Sequence, residues 1–277
     1  MTRRRAILAV GHRTPHLVRH ELRDPAWTLP PLTIAILSDF HVCAPWTPIA
    51  SLGPIVAATH ALAPDLIVLG GDFIADRKLP AGFVEPDRIM AALSGLRAPL
   101  GVFAVLGNHD WWDCRLSQGT GFRRNSVAEA LEASPIRLLR NAGLRIAHGR
   151  GGFWMGGLDS QRALKRLGHP GLHDADAAFA GRDPADPAIL IAHEPDYFAE
   201  GDGRAFLQLS GHTHGGQINL MGWRPVVPSA HRARYAWGHI REAGRHLIVS
   251  GGIGFSGVPL RFLQPPEITL VRVAGEG

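Results

Sequence analysis

Two histidines one residue apart, His212 and His214, lie in the glycine-rich stretch 211–217. The preceding residues 206–210 have the composition of a short strand, whose alternating side chains would bring both rings to one pocket. The glycines allow the backbone to come close to an ion or an anion. Imidazoles are common metal ligands, although a pair of this kind is also compatible with half-buried rings bonded to carbonyl groups. The pair therefore indicates a metal site only if further ligands lie nearby.

Four other apolar segments are short and rich in aliphatic residues, as buried strands are. They are residues 32–37, 65–69, 100–106 and 188–192. The polar residues that follow them are, in order, Asp39 and His41; Asp72; Asn108, His109 and Asp110; and His193. Functional groups gather beyond the carboxyl ends of strands in open α/β sheets, so this repetition predicts one common site.

The elements that would position these residues alternate in type along the chain. Helical spacing of apolar residues covers residues 51–63 and 86–96, and Ser126 with Glu129 forms a capping-box pattern for a helix through Leu131. Further strands are predicted at residues 16–23, 136–140, 144–147, 152–156, 245–250 and 267–272, the first of them at a sheet edge. This order predicts an α/β protein. Without a linker or an internal repeat, we expect a single domain over residues 1–277, with residues 1–31 as an N-terminal extension.

The composition restricts the class of protein. The chain has 277 residues, 45% of them hydrophobic and 19% charged, which allows one large core. No apolar run reaches about 18 residues, and the apolar start ends too soon for a signal peptide, so we expect a cytoplasmic protein. The net charge of +5 comes from scattered arginines, and nucleic acid is not an expected partner. We expect the two cysteines, Cys43 and Cys114, to be unbridged.

The number of candidate metal donors exceeds what one ion needs. They are Asp39, His41, Asp72, Asn108, His193, His212 and His214. A tetrahedral ion takes four ligands, so the set favours two divalent ions bridged by one carboxylate. Ions about 3.5–4 Å apart are the usual arrangement for displacement at phosphorus, where they acidify a bridging water and neutralise phosphoryl charge. The mixed donors accept manganese, iron, zinc or cobalt, so the identity of the metals is open.

Taken in order, these motifs resemble those of the calcineurin-like metallophosphoesterases. The match begins near Leu32 and runs to the C-terminus. The tail at residues 257–262 and 265–268 further resembles a bacterial phosphodiesterase subgroup that includes UDP-2,3-diacylglucosamine pyrophosphatases. The resemblance implies a four-layer sandwich of two mixed sheets flanked by helices. Asp76 and Arg77 stand one residue later than in the phosphoprotein-phosphatase branch of the superfamily, which makes that branch a poor match.

The resemblance also implies roles for individual residues. Asp39, His41 and His214 would hold the first ion, Asp72 would bridge, and Asn108, His193 and His212 would hold the second. His109 would contact the phosphoryl group or assist the leaving group. Asp110 would orient His109, as carboxylates beside the imidazoles of metal sites commonly do.

The activity implied is that of a phosphodiesterase or pyrophosphohydrolase, and two alternatives stay open: a phosphomonoesterase acting on small phosphates, and an inactive binding scaffold. Trp46, Trp111, Trp112 and Trp223 follow the motifs, so we expect them around the mouth of the site, unless one or two pack into the core. Arg115, Arg123 and Arg124 lie nearby in sequence and could pair with further anionic groups. Together these residues predict a lipid-linked substrate met at the membrane surface, peripheral to the inner membrane. The sequence does not indicate an oligomeric state.

Overall fold

The computed structural model describes residues 8–11, 14–78, 82–201 and 203–276. Its strands are β1 Leu8–Val10, β2 His16–Arg23, β3 Leu32–Leu37, β4 Cys43–Ala44, β5 Leu66–Leu69, β6 Gly82–Phe83, β7 Val102–Ala104, β8 Arg137–Leu138, β9 Ala142–His148, β10 Gly151–Gly157, β11 Ala188–Ile191, β12 Leu207–Ser210, β13 Gly238–Glu242, β14 Arg245–Val249, β15 Leu260–Phe262 and β16 Glu267–Ala274. Its α-helices are α1 Leu52–His60, α2 Pro86–Leu93, α3 Asn108–Trp112, α4 Arg115–Gly119, α5 Ser126–Glu132, α6 Ala175–Ala178 and α7 Tyr197–Glu200.

Two six-stranded sheets form the centre of the molecule. The strand order is β2-β16-β3-β5-β7-β8 in the first sheet and β13-β14-β12-β11-β10-β9 in the second. In the first sheet β3, β5, β7 and β8 are parallel, and β16 runs antiparallel to β3. In the second sheet β10, β11, β12 and β14 are parallel, with antiparallel strands at both edges. Both sheets are therefore mixed.

The two sheets pack face to face. Ile34 and Val68 of the first sheet meet Phe153 and Ile191 of the second in one apolar core. The outer face of the first sheet packs on α1, α2 and α5, and the outer face of the second packs on α6 and α7. The order of layers is helix, sheet, sheet, helix, which confirms the predicted α/β sandwich of two mixed sheets.

The polar residues of the motifs lie directly after the carboxyl ends of parallel strands. In the first sheet they follow β3, β5 and β7, and in the second sheet they follow β11 and β12. His41, after β3, lies against His214, after β12, with their Nε2 atoms 3.1 Å apart. The carboxyl ends of both sheets therefore meet at one place, because face-to-face packing aligns the two sets of strands.

Several local predictions agree with the structure and one is wrong. The strand at His16–Arg23 lies at the edge of its sheet, and Cys43 and Cys114 are buried and unbridged. The predicted cap of α5 is wrong, because Asn125 caps the helix by accepting hydrogen bonds from the amides of Val127 and Ala128 at 2.9 and 3.1 Å. Within the described ranges, every helix is too short or too polar to serve as a membrane span.

Candidate metal centre

The first group of donors joins the two sheets. One ligand atom each from Asp39, His41 and His214 lies within 4.8 Å of the others. His214 Nε2 is 3.1 Å from His41 Nε2 and 3.5 Å from Asp39 Oδ1. All three side chains are buried. Two ring nitrogens and a carboxylate that converge in a buried position form a site for a cation.

The second group consists of Asp72, His193 and His212, also buried and with ligand atoms within 4.8 Å of one another. His193 Nδ1 donates to the carbonyl of Gly70 at 2.6 Å, and His212 Nε2 donates to the carbonyl of Pro228 at 2.7 Å. Because a carbonyl oxygen only accepts, these bonds place the ring protons on those two nitrogens. In the neutral rings, His193 Nε2 and His212 Nδ1 therefore carry the lone pairs that would bind an ion.

Asp72 contacts both groups. Its Oδ2 atom is 3.2 Å from His193 Nε2 and 3.5 Å from His41 Nε2. Its Oδ1 atom accepts a hydrogen bond from the amide of His109 at 2.8 Å. The carboxylate thus has the position that a bridging ligand requires.

Burial keeps three of the imidazoles neutral. It lowers the pKa of His41 to about 4 and holds the pKa values of His212 and His214 well below that of a free histidine. A neutral imidazole is the form that binds a metal, so these rings are ready to bind one at neutral pH. Burial also raises the pKa of Asp39 to about 6, which reflects the cost of an uncompensated carboxylate at this position.

His193 and Asp72 indicate where positive charge is required. Burial alone would lower the pKa of His193, but the charge and hydrogen bond of Asp72 outweigh it and hold this pKa well above its usual value. Burial alone would raise the pKa of Asp72, but His193 and His109 hold it well below its usual value. A proton on His193 supplies the compensating charge in the protein alone. A metal ion bound between the same two groups would supply it instead.

Asn108 adds an unsatisfied side chain. Its amide is fully buried, and neither Oδ1 nor Nδ2 has a hydrogen-bond partner among the described residues. An amide left unpaired away from water costs on the order of 1–3 kcal/mol, so such groups persist where they have a ligand to bind. The donor set, its burial and this orphaned amide together fit the two ions that the motifs predict.

The backbone that carries the donors is strained. Five donors have positive φ angles, namely Asp39 at 55°, His41 at 42°, Asp72 at 55°, His212 at 71° and His214 at 52°. Non-glycine residues rarely adopt this conformation, and it costs on the order of 1–3 kcal/mol at each position. Gly107 gives the strained loops room, because a Cβ atom there would overlap the carboxylate of Asp72. Strain of this kind is typical of sites where geometry is retained for function.

The predicted partner of His109 is wrong. His109 Nδ1 bonds to Asp113 Oδ2 at 2.6 Å, one helical turn later, and Asp76 Oδ1 lies 4.0 Å away. Ligand atoms of these three residues lie within 4.8 Å of one another. The oxygens of Asp76 already accept hydrogen bonds from the amides of Lys78 and Gly257, so the cluster is satisfied as a hydrogen-bonded network.

Asp110 instead organises the backbone of the site. Its carboxylate accepts hydrogen bonds from the amides of Asp72 and Phe73, both at 2.8 Å, and of Gly107 at 2.9 Å. These bonds join the loop after β5 to the start of α3. Asp110 therefore positions Asp72, because the short α3 helix points its carboxylate toward that loop and away from the ring of His109.

The tryptophans differ in their environments. Trp111 packs into the core, where its Nε1 donates to Asp159 at 2.7 Å. This agrees with the alternative prediction that one or two of the tryptophans pack into the core. Trp112 is half-buried, with its ring centroid 5.5 Å from that of His109. Trp46 is half-buried and Trp223 is 65% exposed.

The three arginines named from the sequence are exposed, and Arg124 forms an ion pair with Glu129 at 2.8 Å. Two residues that contact the donors or His109 had not been selected from the sequence. Asp113 had a usable signal, since it stands four residues after His109 on a helix. Arg261 had none. It is buried, its Nη2 lies 3.1 Å from His214 Nδ1, and its Nη1 donates to the carbonyl of Gly251 at 2.7 Å.

Comparison with known proteins places this geometry in a family. The profile of the calcineurin-like phosphoesterases matches residues 32–216. The metallophosphoesterase YkuE of Bacillus subtilis is 29% identical over 86% of this chain and 77% of its own. The UDP-2,3-diacylglucosamine pyrophosphatase LpxG of Chlamydia trachomatis is 27% identical over 95% of this chain and 91% of its own. The phosphodiesterase YaeI of Escherichia coli is 28% identical over 93% and 87%.

The profile covers most of the chain and includes the residues of both donor groups. Relatives that carry the names of a phosphodiesterase and of a pyrophosphatase align with nearly its whole length. The chain accordingly belongs to the calcineurin-like phosphoesterases, as a metal-dependent phosphoester hydrolase with a dinuclear metal centre.

Proposed function

We propose that the chain is a phosphodiesterase or pyrophosphohydrolase whose two ions share the carboxylate of Asp72. The ligands of the first ion are Asp39, His41 and His214, and those of the second are Asn108, His193 and His212. The contact of Asp72 with both donor groups is the observation that carries this assignment. Imidazole, carboxylate and amide donors together suit manganese, iron, zinc or cobalt.

Bound ions supply Lewis acidity, which acidifies water and neutralises charge on the phosphoryl oxygens. His109 supplies the mobile proton. Burial would lower its pKa, but the charge of Asp72 and the hydrogen bond to Asp113 outweigh burial and raise the pKa above its usual value. Because Nδ1 bonds to Asp113, Nε2 is the atom that meets a phosphoryl oxygen or protonates the leaving oxygen.

The diester assignment is supported by the relatives named as a phosphodiesterase and as a UDP-2,3-diacylglucosamine pyrophosphatase. In both reactions the phosphorus keeps a substituent other than the leaving group. A phosphomonoesterase would use the same ions and differ in how the pocket meets that position. An inactive scaffold is disfavoured because every donor of the two groups is present and buried.

We expect the manganese-loaded protein to hydrolyse bis-p-nitrophenyl phosphate faster than p-nitrophenyl phosphate. Chelation should abolish both activities. Asp72→Asn should lose both ions and at least about 100-fold of turnover, because it removes the charge that the two ions share. Release of p-nitrophenol, elemental analysis and circular dichroism measure rate, metal content and fold.

Two outcomes would contradict this proposal in different ways. A preference for the monoester would favour the phosphomonoesterase alternative. Full activity of a folded Asp72→Asn variant, or of the metal-free protein, would exclude the assigned role of Asp72 altogether.

Asp113 positions His109 in this proposal. Asp113→Asn should reduce kcat about 10- to 100-fold without loss of metal. The variant should also lower the pKa of His109, so that activity falls at a lower pH as the pH is raised.

His109→Ala should likewise retain both ions. In that background Asp113→Asn should cost less than about threefold, since the ring on which it acts is gone. An equal loss in both backgrounds would mean that Asp113 has only a structural role.

We also propose that the protein meets lipid-linked substrates at the cytoplasmic surface of a membrane, through the loop of residues 220–226. Leu220, Met221, Trp223 and Val226 are 40%, 94%, 65% and 70% exposed. Arg224 Nε donates to the carbonyl of Gly215 at 2.9 Å, which holds this apolar loop beside the glycine-rich stretch that carries His212 and His214. Arg224, within the loop, adds a positive charge that suits anionic headgroups, whereas Arg204 and Arg234 pair with Asp176 and Glu242.

Vesicle sedimentation tests this surface. The protein should bind phosphatidylcholine vesicles containing phosphatidylglycerol at low salt. A Met221→Ser, Trp223→Ser double variant should bind about tenfold less tightly, because it removes two large exposed apolar side chains of the loop that would insert. Leu167→Ser, which changes an apolar residue 55% exposed elsewhere, is the matched control and should bind normally. Failure of the unaltered protein to sediment, or equal binding by the double variant, would contradict the proposal.

A further inference from the structure

Arg162 is a cation beside the second donor group. It follows β10, in the loop that leaves the carboxyl end of that strand. Its Nη1 donates at 3.1 Å to the carbonyl of Pro228, the same oxygen to which His212 Nε2 donates at 2.7 Å. A shared acceptor makes the guanidinium and the ring of His212 near neighbours.

The backbone of Arg162 is held in place by buried groups. Its amide donates to the hydroxyl of Ser160 at 3.1 Å, and that hydroxyl donates to the carboxylate of Glu194. Glu194 follows His193 directly and also accepts a hydrogen bond from the amide of Gln161 at 3.0 Å. The loop is therefore anchored to the strand end that carries His193, which fixes the backbone of Arg162 relative to the metal centre.

Trp112 lies close to both Arg162 and His109. The guanidinium carbon of Arg162 lies 5.9 Å from the ring centroid of Trp112, and the ring centroid of His109 lies 5.5 Å from it. Trp112 Nε1 donates to the carbonyl of Arg162 at 2.8 Å, which fixes the orientation of the indole. His109 and Arg162 consequently both lie close to one indole ring.

The guanidinium retains unused hydrogen-bonding capacity. The side chain is half-buried, and its Nε is buried without a hydrogen-bond partner among the described residues. Its described hydrogen bond goes to a carbonyl oxygen, whereas Arg140, after β8, pairs with the carboxylate of Asp159 at 2.7 Å. An arginine beside a centre that binds phosphoryl groups, with no carboxylate paired to it in the described part of the chain, is suited to a second anion.

We propose that Arg162 binds the phosphate that adjoins the scissile phosphorus, so that the site favours pyrophosphate substrates over simple diesters. This inference rests on the proposed function, because it assumes that the attacked phosphoryl group lies over the two donor groups. The ions and His109 serve the attacked phosphorus. The guanidinium, on the His212 side, meets the oxygens of the neighbouring phosphate.

The test compares two substrates in matched variants. Arg162→Met should reduce kcat/KM for UDP-glucose about 10- to 100-fold, the range expected for a charged hydrogen bond, and that for bis-p-nitrophenyl phosphate less than about threefold. Arg162→Lys should retain part of the activity on UDP-glucose, since it keeps the charge without the planar fork. Arg234→Met is the control, because Arg234 is exposed and paired with Glu242. This control variant should leave kcat/KM for both substrates unchanged.

A binding measurement separates this inference from the proposed function. Titration calorimetry of the metal-loaded protein should give tighter binding of inorganic pyrophosphate than of orthophosphate, and Arg162→Met should remove that preference. If neither ester is hydrolysed but the preference is lost in Arg162→Met, the proposed function fails and the anion site stands. An equal effect of Arg162→Met on both substrates, or an unchanged preference for pyrophosphate, would overturn the assignment of Arg162.

Discussion

The charge of Asp72 among buried imidazoles is the interaction on which the rest of the site depends. Its carboxylate lies 3.2 Å from His193 Nε2 and 3.5 Å from His41 Nε2, and it is 1% exposed. A carboxylate in such surroundings costs several kcal/mol unless positive charge lies beside it. The shifted pKa values of Asp72 and His193 express that requirement. Two cations held between the same groups would satisfy it, and they would supply the chemistry of phosphoester hydrolysis.

The donor groups around Asp72 form at the edge where the two sheets end together. Neither sheet alone carries a complete donor group, because His41 comes from the first sheet and His214 from the second. Asp110 then ties the loop of Asp72 to the start of α3 through three amides, which places His109 beside the same carboxylate. The positive φ angles of the donors are stable only because the apolar core between the sheets holds the strand ends in position.

Much of this architecture follows from the sequence. The apolar strands and the polar residues behind them predict the sheets and the common edge, since strand ends carry functional groups in α/β folds. Contacts that depend on tertiary packing were not predictable. The spacing of four residues between His109 and Asp113 is a signal for their contact only once α3 is known to be a helix. Nothing in residues 107–113 indicates that Asp110 turns toward backbone amides. Trp111 is buried for the same reason, one helical position away from the half-buried Trp112.

Arg162 illustrates a further limit of prediction from the sequence. The residue stands 50 positions after Trp112 and 66 before Pro228, and both contacts arise from how the loop after β10 folds over the strand ends. Neither spacing nor composition marks it among the scattered arginines of the chain. Specificity beyond the attacked phosphorus is decided by such loop residues, whereas the motifs themselves define the reaction class.

The central claim is that two ions share Asp72, and anomalous diffraction from a crystal of the metal-loaded protein tests it most directly. The account predicts two anomalous peaks. One should lie among Asp39, His41 and His214, the other among Asn108, His193 and His212, with the carboxylate of Asp72 in contact with both. A single peak, or a peak among Asp76, His109 and Asp113 in place of either, would contradict it.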